Sequence, residues 1–473
     1  MKLTKWFAVM GMMLAFCLLL GACAQNEVVP QGSESTSESG SVATDGFSMT
    51  IDGVDIGEYK IVYAHSPLED VLSNTGKSVG EDLAEYLQGE NKAMDFDYQT
   101  AVRLQTLIKD KVGKTLELVK DTDEAKKSDR EILVGKTNRD ASIDGVDELG
   151  MDEFVCKAVG TRYMISGANY GTTWHAVDSL EKLIKNEIKK GSAVLDLKTS
   201  GRIEDSYEMK KVACVGDSIT RGSQALPDNI GPSEVTKAWG ADATAVYFEQ
   251  YLGYPSVMQR ELWQEYVVLN FGEGGRTLTT TKENVRYRDC AKFTECLEYS
   301  NREDVAFDLV LIMLGTNDAG LNGNLDPLAA SQKTDFPVEL KFLADSIAAG
   351  SPDAQFVLMN APHRCDGSDP LVGFSDVREV QAKAVETLRE QMINIVLYDM
   401  NRFTIENLTS DPSKEGKSPE MEVEIHEEYY NLRFGANDKL HPSYLGYGKI
   451  AEGMRELAEF FLGDGNMPTY LIV

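Results

Sequence analysis

Residues 309–318, LVLIMLGTND, give the strongest indication of how this chain folds. An uninterrupted apolar run ends here in a glycine and three polar residues, Thr316, Asn317 and Asp318. A run that is apolar throughout suits a strand buried on both faces, as in a parallel sheet covered by helices. Ligands of such sheets bind beyond the carboxyl ends of the strands, so the polar residues after the run are candidates for a functional site.

Four further apolar runs have the same character and lie on either side of this one, at 212–215, 266–270, 356–359 and 395–398. Helical periodicity is found between and after them, at 245–264, 336–349, 375–392 and 443–462. Strands that alternate with helices predict right-handed βαβ crossovers. We therefore expect residues 206–473 to form an α/β domain with a doubly wound, flavodoxin-like sheet of five parallel strands.

Two of these strand ends carry residue types that suit nucleophilic catalysis. Ser218 follows the first strand in the sequence GDS, and His441 follows the fifth in DKLHP, beyond a long insertion. A serine hydroxyl is a weak nucleophile until a neighbouring base takes its proton, and imidazole is the natural base near neutral pH. Asp438 lies three residues before His441, on the same face of one backbone turn, and is predicted to orient it.

The two intervening strand ends carry groups that suit an oxyanion hole. A tetrahedral intermediate needs preorganised donors, and the N–H groups of Ser218 and Gly272 with the Asn317 amide would supply them. Asp217 and Asp318 are predicted to hold their loops through side-chain hydrogen bonds. Taken singly, Ser218 would be a helix cap and Gly272 a turn glycine. Their occurrence in order at successive strand ends favours the catalytic interpretation.

Four short motifs follow the predicted strands: GDS (216–218), NFGEGG (270–275), GTND (315–318) and DKLH (438–441). In this order they resemble the conserved blocks of the SGNH hydrolases, also called the GDSL esterase/lipase family. The resemblance covers essentially all of residues 206–473 and implies a serine esterase without metal or cofactor. The family's roles fall here on the nucleophile Ser218, the oxyanion-hole residues Gly272 and Asn317, and the triad partners Asp438 and His441. Two insertions, at 278–307 and 401–436, depart from the family pattern and leave the shape of the pocket, and hence the substrate, open.

Three further residues are candidates for contacts with a substrate. Arg276 lies two residues beyond a glycine pair and is predicted either to contact a hydroxyl or carboxylate or to face solvent. His363 follows the fourth strand and is either a wall of the same cleft or a surface residue. Trp239 lies between the first strand and its helix, where an aromatic ring either stacks on a sugar or packs in the core.

The preceding block, residues 47–205, is predicted to be a smaller α+β domain. It has strand-like runs at 59–63, 116–119, 131–134, 163–166 and 194–197, and helical patterns at 98–112 and 172–188. The phrases EILVGKTNR (131–139) and GANYGTT (167–173) resemble the accessory domain found before the catalytic barrel of several glycoside hydrolases. The resemblance implies a carbohydrate-associated role, and a generic spacer domain is the alternative interpretation.

The N-terminus is predicted to be a targeting signal. Lys2 and Lys5 precede an apolar run at 6–20, which is the length of a signal-peptide core and short for a membrane span. The run ends in LGAC, which resembles the bacterial lipobox, so residues 1–22 are predicted to be removed and Cys23 to be lipidated. A plain signal peptide is the alternative. Residues 23–46 are rich in Ser, Gly and Glu and are predicted to form a tether. These features place the protein outside the cytoplasm, anchored to the bacterial cell surface.

Composition limits the other classes of ligand. The formal charge of −29 should repel phosphate backbones, so nucleic acid is not an expected partner. Seven cysteines are too few for a disulfide scaffold, and Cys290 and Cys296 form only a weak pairing signal. No C-x-x-C motif and no histidine cluster with metal-ligand spacing occurs, so no metal site is predicted.

These observations lead to one functional hypothesis and two alternatives. The hypothesis is a surface-tethered serine esterase that removes O-acyl groups, in particular O-acetyl groups, from carbohydrates. The first alternative is a lipase or thioesterase with the same triad. The second is a non-catalytic lipoprotein that binds solutes or glycans, which suits the signal and the acidity but has no use for a triad.

Overall fold

The computed structural model of the protein describes residues 46–65, 96–140, 148–223, 252–281, 285–302, 304–319, 328–363, 372–408, 441–442 and 444–472. Three residues singled out above, Cys23, Trp239 and Asp438, lie outside these ranges. The same holds for the predicted signal peptide and for all of the predicted tether except Gly46.

The first half of the chain builds two sheets. The strands are β1 (Ser48–Ile51), β2 (Val54–Asp55), β3 (Lys60–Tyr63), β4 (Glu117–Lys120), β5 (Glu131–Val134), β6 (Glu153–Val159), β7 (Arg162–Gly167), β8 (Val194–Asp196) and β9 (Ile203–Ser206). The smaller sheet has the order β2-β1-β8, and the larger has the order β4-β3-β5-β7-β6-β9. From β4 to β7 neighbouring strands are parallel, whereas β6 is antiparallel to both β7 and β9.

Three helices accompany these sheets: α1 (Phe96–Val112), α2 (Tyr170–Lys189) and the short α3 (Leu197–Ser200). The two long helices pack on one face of the larger sheet, around Ile61, Ile132 and Ile165. Four of the strands, β1, β2, β6 and β9, were not predicted from the sequence. Most of β9 is exposed and polar at the edge of the sheet, so it shows no apolar pattern. The predicted strand at 194–197 belongs instead to the smaller sheet, beside β1.

The second half of the chain builds one six-stranded sheet. Its strands are β10 (Lys210–Gly216), β11 (Tyr266–Gly272), β12 (Leu309–Met313), β13 (Gln355–Met359), β14 (Ile395–Tyr398) and β15 (Leu471–Ile472). They lie in the order β11-β10-β12-β13-β14-β15. The first five are parallel and β15 is antiparallel. The mixed α/β class with parallel-strand sheets is thus confirmed, while this sheet has one strand more than predicted. With only two residues, β15 is too short to form a recognisable pattern.

Helices cover both faces of this sheet. They are α4 (Ser218–Arg221), α5 (Tyr254–Leu262), α6 (Ala291–Ser300), α7 (Ala330–Ala348), α8 (Val372–Glu390), α9 (Met400–Leu408) and α10 (Tyr444–Leu462). Alternate residues of the strands face opposite layers, as the pleat requires. Leu309 and Leu311 pack with α5 and α10, whereas Val310 and Ile312 pack with α6, α7 and α8. Short 3-10 turns occur at Ile56–Glu58, Glu124–Lys126 and Tyr287–Asp289.

Both halves lie within one compact unit and share an aromatic and polar contact. Trp263, directly after α5, packs against Phe96 and Trp174 of the first half, with ring centroids 4.9 and 5.2 Å apart. His175 stacks on Tyr207, and its Nε2 lies 2.9 Å from the Gln264 carbonyl oxygen. The predicted boundary between residues 205 and 206 stays a prediction, because these contacts join the parts on either side of it.

Candidate active site

Ser218 is placed at the carboxyl edge of the sheet by a sharp turn from strand to helix. β10 ends at Gly216, Asp217 caps the next helix by accepting the Ile219 N–H at 3.0 Å, and Ser218 is the first residue of α4. A β-carbon on Gly216 would overlap the Thr220 hydroxyl and lie 2.7 Å from the Met313 carbonyl oxygen. Glycine at this position therefore permits the turn to be this tight.

His441 lies within hydrogen-bond distance of this serine, although the two residues are 223 positions apart. The His441 Nε2 atom is 2.8 Å from Ser218 Oγ, and the imidazole is only 8% exposed. The histidine lies three residues before α10, which packs with α5 on the sheet. This distance suits transfer of the hydroxyl proton to the imidazole, so the pair can form a nucleophile and its general base. Asp438 lies outside the described residues, so its predicted role stays a prediction.

Gly272 is the last residue of β11 and lies against α4. Its N–H donates to Oδ1 of Asn270 at 2.9 Å, so this donor already has a partner. A β-carbon on Gly272 would overlap the backbone nitrogen of Arg221 and lie 2.6 Å from the carbonyl carbon of Thr220. Gly272 thus lets β11 pack directly against α4, and its predicted role as an oxyanion donor stays a prediction.

A second glycine of the same loop, Gly274, lies beside the nucleophile. A β-carbon on Gly274 would be 4.0 Å from Cβ of Ser218. Among the described residues no backbone hydrogen bond uses the Gly274 N–H. The sequence offered a signal for it, because three glycines occur within residues 272–275, but the spacing alone did not distinguish them.

Asn317 lies where the sequence predicts, beside the Ser218 loop. Its Nδ2 donates to the Arg276 carbonyl oxygen at 2.9 Å and lies 3.4 Å from Oδ2 of Asp217. The first bond fixes the amide, whereas the second contact is long and weak. Donation to an oxyanion would therefore replace the contact with Asp217.

Asp217 and Asp318 are both buried and hold the loops as the sequence predicts. Asp318 accepts hydrogen bonds from the Leu278 and Thr279 N–H groups at 2.9 and 2.7 Å, and from the Thr279 hydroxyl at 2.6 Å. Burial raises the pKa of Asp318 above its usual range, although these hydrogen bonds oppose the shift. Burial also raises the pKa of Asp217 to about 7, against the opposing effects of the Ile219 N–H and His441.

The raised pKa of Asp217 predicts a pH-dependent effect on stability. A carboxyl with a higher pKa in the folded than in the unfolded protein binds its proton better when folded, so its contribution to stability is lost as pH rises from about 4 to about 7. Asp217→Asn keeps a good helix cap without this charge. Relative to the wild type, we expect its free energy of unfolding to rise by roughly 2–3 kcal/mol between pH 5 and pH 8.

Denaturant unfolding of both proteins at the two pH values measures this difference. Asp205→Asn, at an exposed carboxylate of β9, is the matched control and should show almost no such change. A raised pKa of Asp217 would be contradicted if the free energies of unfolding of Asp217→Asn and the wild type differed by the same amount at pH 5 and at pH 8.

Two side chains that the sequence analysis did not single out organise the same edge. Asn270 accepts the Gly272 N–H, and its Nδ2 is 3.5 Å from the Arg221 carbonyl oxygen. Gln381, on α8, donates to the Leu314 carbonyl oxygen at 2.8 Å and accepts the Ala361 N–H at 3.0 Å. Gln381 thus joins the loops that follow β12 and β13. No sequence motif indicates this role of Gln381, because glutamine is a common residue in helices.

The candidate substrate contacts are only partly brought to this place. The Arg276 carbonyl accepts the Asn317 amide, while its guanidinium lies 3.6 Å from the Glu273 carboxylate. The His363 N–H donates to the Thr404 hydroxyl at 2.8 Å, which places this residue against α9 at the end of β13. Trp239 is outside the described residues, and a role in substrate binding for any of the three stays a prediction.

The described part of the chain contains neither a cluster of metal-ligating side chains nor a helix that could cross a membrane. In the described ranges, His, Cys, Asp and Glu side chains form no group that could hold a metal ion. The four cysteines that can be described, Cys156, Cys214, Cys290 and Cys296, are buried and free. None of the helices in the described part of the chain has both the length and the hydrophobicity needed to span a bilayer.

Residues 214–449, which carry Ser218, the two loops beside it and His441, match a family model described as GDSL-like lipase/acylhydrolase. This part of the chain is a GDSL-like domain. The match begins within β10, includes β11 to β14 and ends within α10. No curated protein matches the sequence.

Several solved structures are similar to about half of this chain. One is an active-site mutant of a family two carbohydrate esterase from Clostridium thermocellum, with 16% identity over 54% of this chain and 65% of that one, at a TM-score of 0.34. Another is a carbohydrate esterase family 2 enzyme with a carbohydrate binding domain from Corynascus thermopiles, with 18% identity over 55% and 71% and a TM-score of 0.35. A third is a carbohydrate acetylesterase family member from Sinorhizobium meliloti, with 16% identity over 54% and 99% and a TM-score of 0.31. The chain thus spans less than two thirds of the first of these proteins.

Proposed function

We propose that this protein is a serine esterase that hydrolyses O-acyl esters, in particular O-acetyl esters, on carbohydrates at the cell surface. The observation that carries the proposal is the 2.8 Å separation of Ser218 Oγ and His441 Nε2 at the carboxyl edge of a GDSL-like domain. A binding protein would gain nothing from holding a serine hydroxyl against an imidazole in this way.

The reaction proceeds in two halves through an acyl-serine. The Ser218 oxygen attacks the ester carbonyl while His441 takes its proton, and the resulting oxyanion accepts hydrogen bonds from the Ser218 and Gly274 N–H groups and the Asn317 amide. The C–O bond to the sugar then breaks, and the imidazolium returns the proton to the leaving alcohol. A water molecule attacks the acyl-serine in the same manner and releases acetate. Asp438 is proposed to orient His441.

The polarity of the described loops supports a hydrophilic substrate. The loop after β11 carries Glu273 and Arg276, and a guanidinium nitrogen of Arg221 would lie 3.5 Å from a β-carbon on Gly274. Charged groups this close to the nucleophile suit a sugar with hydroxyl groups better than a long hydrocarbon chain. The lipobox-like sequence at Cys23 belongs to the same proposal, because a surface anchor would place the enzyme where polysaccharides are met.

Comparison of three esters tests the proposal. We expect release of acetate from acetylated xylan and hydrolysis of p-nitrophenyl acetate, with at least about 100-fold lower kcat/KM for p-nitrophenyl palmitate. Xylan from which the acetyl groups have been removed is the control for acetate release. A preference for palmitate would identify a lipase, and no turnover of any of the three would contradict the esterase.

A further inference from the structure

A cavity of about 370 Å³ lies in the first half of the molecule, at the carboxyl edge of the sheet that contains β3, β5 and β7. Its lining includes Ala64 and His65 after β3, Gly135 and Lys136 after β5, and residues 167–170 after β7. The volume lies within the range of small-molecule sites, about 300–1,000 Å³. Ser218 belongs to the other large sheet, so this cavity is distinct from the candidate active site.

The strand order explains why a cavity forms at this place. β3 has β4 on one side and β5 on the other. The chain runs from β3 through α1 to β4, and then returns past β3 to β5. Connections that leave neighbouring strands in opposite directions open a crevice between their carboxyl ends, and open α/β sheets bind their ligands there. The cavity occupies this switch point.

An aromatic ring is fixed at the rim of the cavity. Tyr170, the first residue of α2, is 46% exposed although its ring packs on Phe96 at a centroid distance of 4.8 Å. Phe96 is itself buried and stacks on Trp263 at 4.9 Å with an interplanar angle of 28°. Tyr170 therefore presents a supported aromatic surface at the mouth of the cavity, which is the arrangement that binds the apolar face of a sugar ring.

The polar groups of the cavity favour an uncharged ligand. Asp97 is only 6% exposed and occupies the first turn of α1, and Lys136 is exposed. The start of α2 is already capped by Asn169, which accepts the Thr172 N–H at 3.0 Å. The N-termini of α1 and α2 would otherwise attract an anion. The Asp97 carboxylate at the start of α1 and the Asn169 cap at the start of α2 disfavour one here. An acceptor, Asp97, and a donor, Lys136, in the lining of the cavity instead suit the hydroxyl groups of a neutral ligand.

We propose that this cavity is a second, non-catalytic binding site that takes a neutral saccharide, with Tyr170 stacking on the ring and with Asp97 and Lys136 hydrogen-bonded to its hydroxyl groups. The site goes beyond the proposed esterase activity and does not depend on it. It also gives a physical role to the phrases EILVGKTNR and GANYGTT, both of which contribute residues to the cavity.

Titration calorimetry with the full chain tests the proposal. The probes are unacetylated xylotriose, cellotriose and di-N-acetylchitobiose as neutral saccharides, with trigalacturonic acid and inorganic phosphate as charged ones. We expect at least one neutral probe to bind, and Tyr170→Ala to weaken that binding by about tenfold or more. Lys136→Ala should weaken it severalfold. Tyr98→Ala is the matched control, because Tyr98 is similarly exposed, belongs to α1 and packs on Tyr63 away from the cavity lining.

Hydrolysis of p-nitrophenyl acetate, measured on the same four proteins, separates this proposal from the esterase. Unchanged hydrolysis together with lost binding in Tyr170→Ala supports the second site. Binding that survives both Tyr170→Ala and Lys136→Ala would place the saccharide elsewhere and overturn the proposal. It would also be overturned if only phosphate or the uronic acid bound, or if no probe bound. A protein without hydrolytic activity would contradict the esterase and leave the binding result to stand on its own.

Discussion

Ser218→Ala is expected to lower kcat for p-nitrophenyl acetate by about 10⁴–10⁶-fold, the largest effect of any single change in this chain. Without the hydroxyl, His441 has no proton to take and no acyl-serine can form. The residual rate would reflect binding and oxyanion stabilisation alone. Because Ser218 is half-buried and its side chain is small, the variant should unfold at nearly the same denaturant concentration as the wild type.

Ser223→Ala is the control for this change, since it removes a serine hydroxyl that lies two residues beyond the end of α4. The structure uses the Ser223 carbonyl, which accepts the Tyr447 hydroxyl at 2.8 Å, and alanine keeps that carbonyl. Activity close to that of the wild type is expected for Ser223→Ala. Turnover retained by Ser218→Ala would refute the mechanism, as would labelling by an organophosphonate ester at a serine other than Ser218.

Gly272→Ala is expected to have the second largest effect. The new methyl group would overlap backbone atoms of Thr220 and Arg221, which cannot move aside as a flexible side chain would. We expect α4 to be displaced from β11 and Ser218 from His441, with a loss of about 10²-fold or more in kcat/KM, since a displacement of about 1 Å costs this much. The free energy of unfolding should fall by about 1–3 kcal/mol because the site becomes overpacked.

Gly274→Ala is the matched control for stability. Its methyl group would meet no atom closer than a guanidinium nitrogen of Arg221 at 3.5 Å, so the free energy of unfolding should stay near that of the wild type. An equal loss of stability in both variants would show that the loop, and not the contact between β11 and α4, is sensitive. Full activity in Gly272→Ala would contradict the packing role assigned to this glycine.

The central sheet was predictable because its strands are buried on both faces. Runs such as 309–313 are apolar at every position, which is typical of a short strand covered by helices on both faces. The edges were not predictable for the opposite reason. β9 is largely exposed and polar, and β15 pairs through only Leu471 and Ile472, so neither leaves a hydrophobic pattern. A hydrophobic pattern in the sequence indicates which residues are buried, and edge strands bury few of their residues.

The candidate site was predictable as a set of strand ends and not as a set of contacts. The order of the sequence words places Ser218, Asn317 and His441 at one edge, because parallel strands share their direction. The order of the motifs does not show which glycine of residues 272–275 donates its N–H to an oxyanion, because the Gly272 N–H is bonded to the side chain of Asn270. Asn270 turns back to take the Gly272 N–H, and spacing alone does not reveal such a local bond.

The aromatic contact at Trp263 has a consequence for how the molecule melts. This ring stands directly after a helix of the second sheet and is covered by Phe96 and Trp174, which belong to helices of the first. Neither half can lose its tertiary packing without uncovering aromatic surface of the other. Heating should therefore give one cooperative transition, with calorimetric and van't Hoff enthalpies that agree, in place of two successive ones. In a fragment that begins at residue 206, Trp263 would lose its contacts with Phe96 and Trp174 and be exposed to solvent. Such an exposed apolar surface would favour self-association of the fragment.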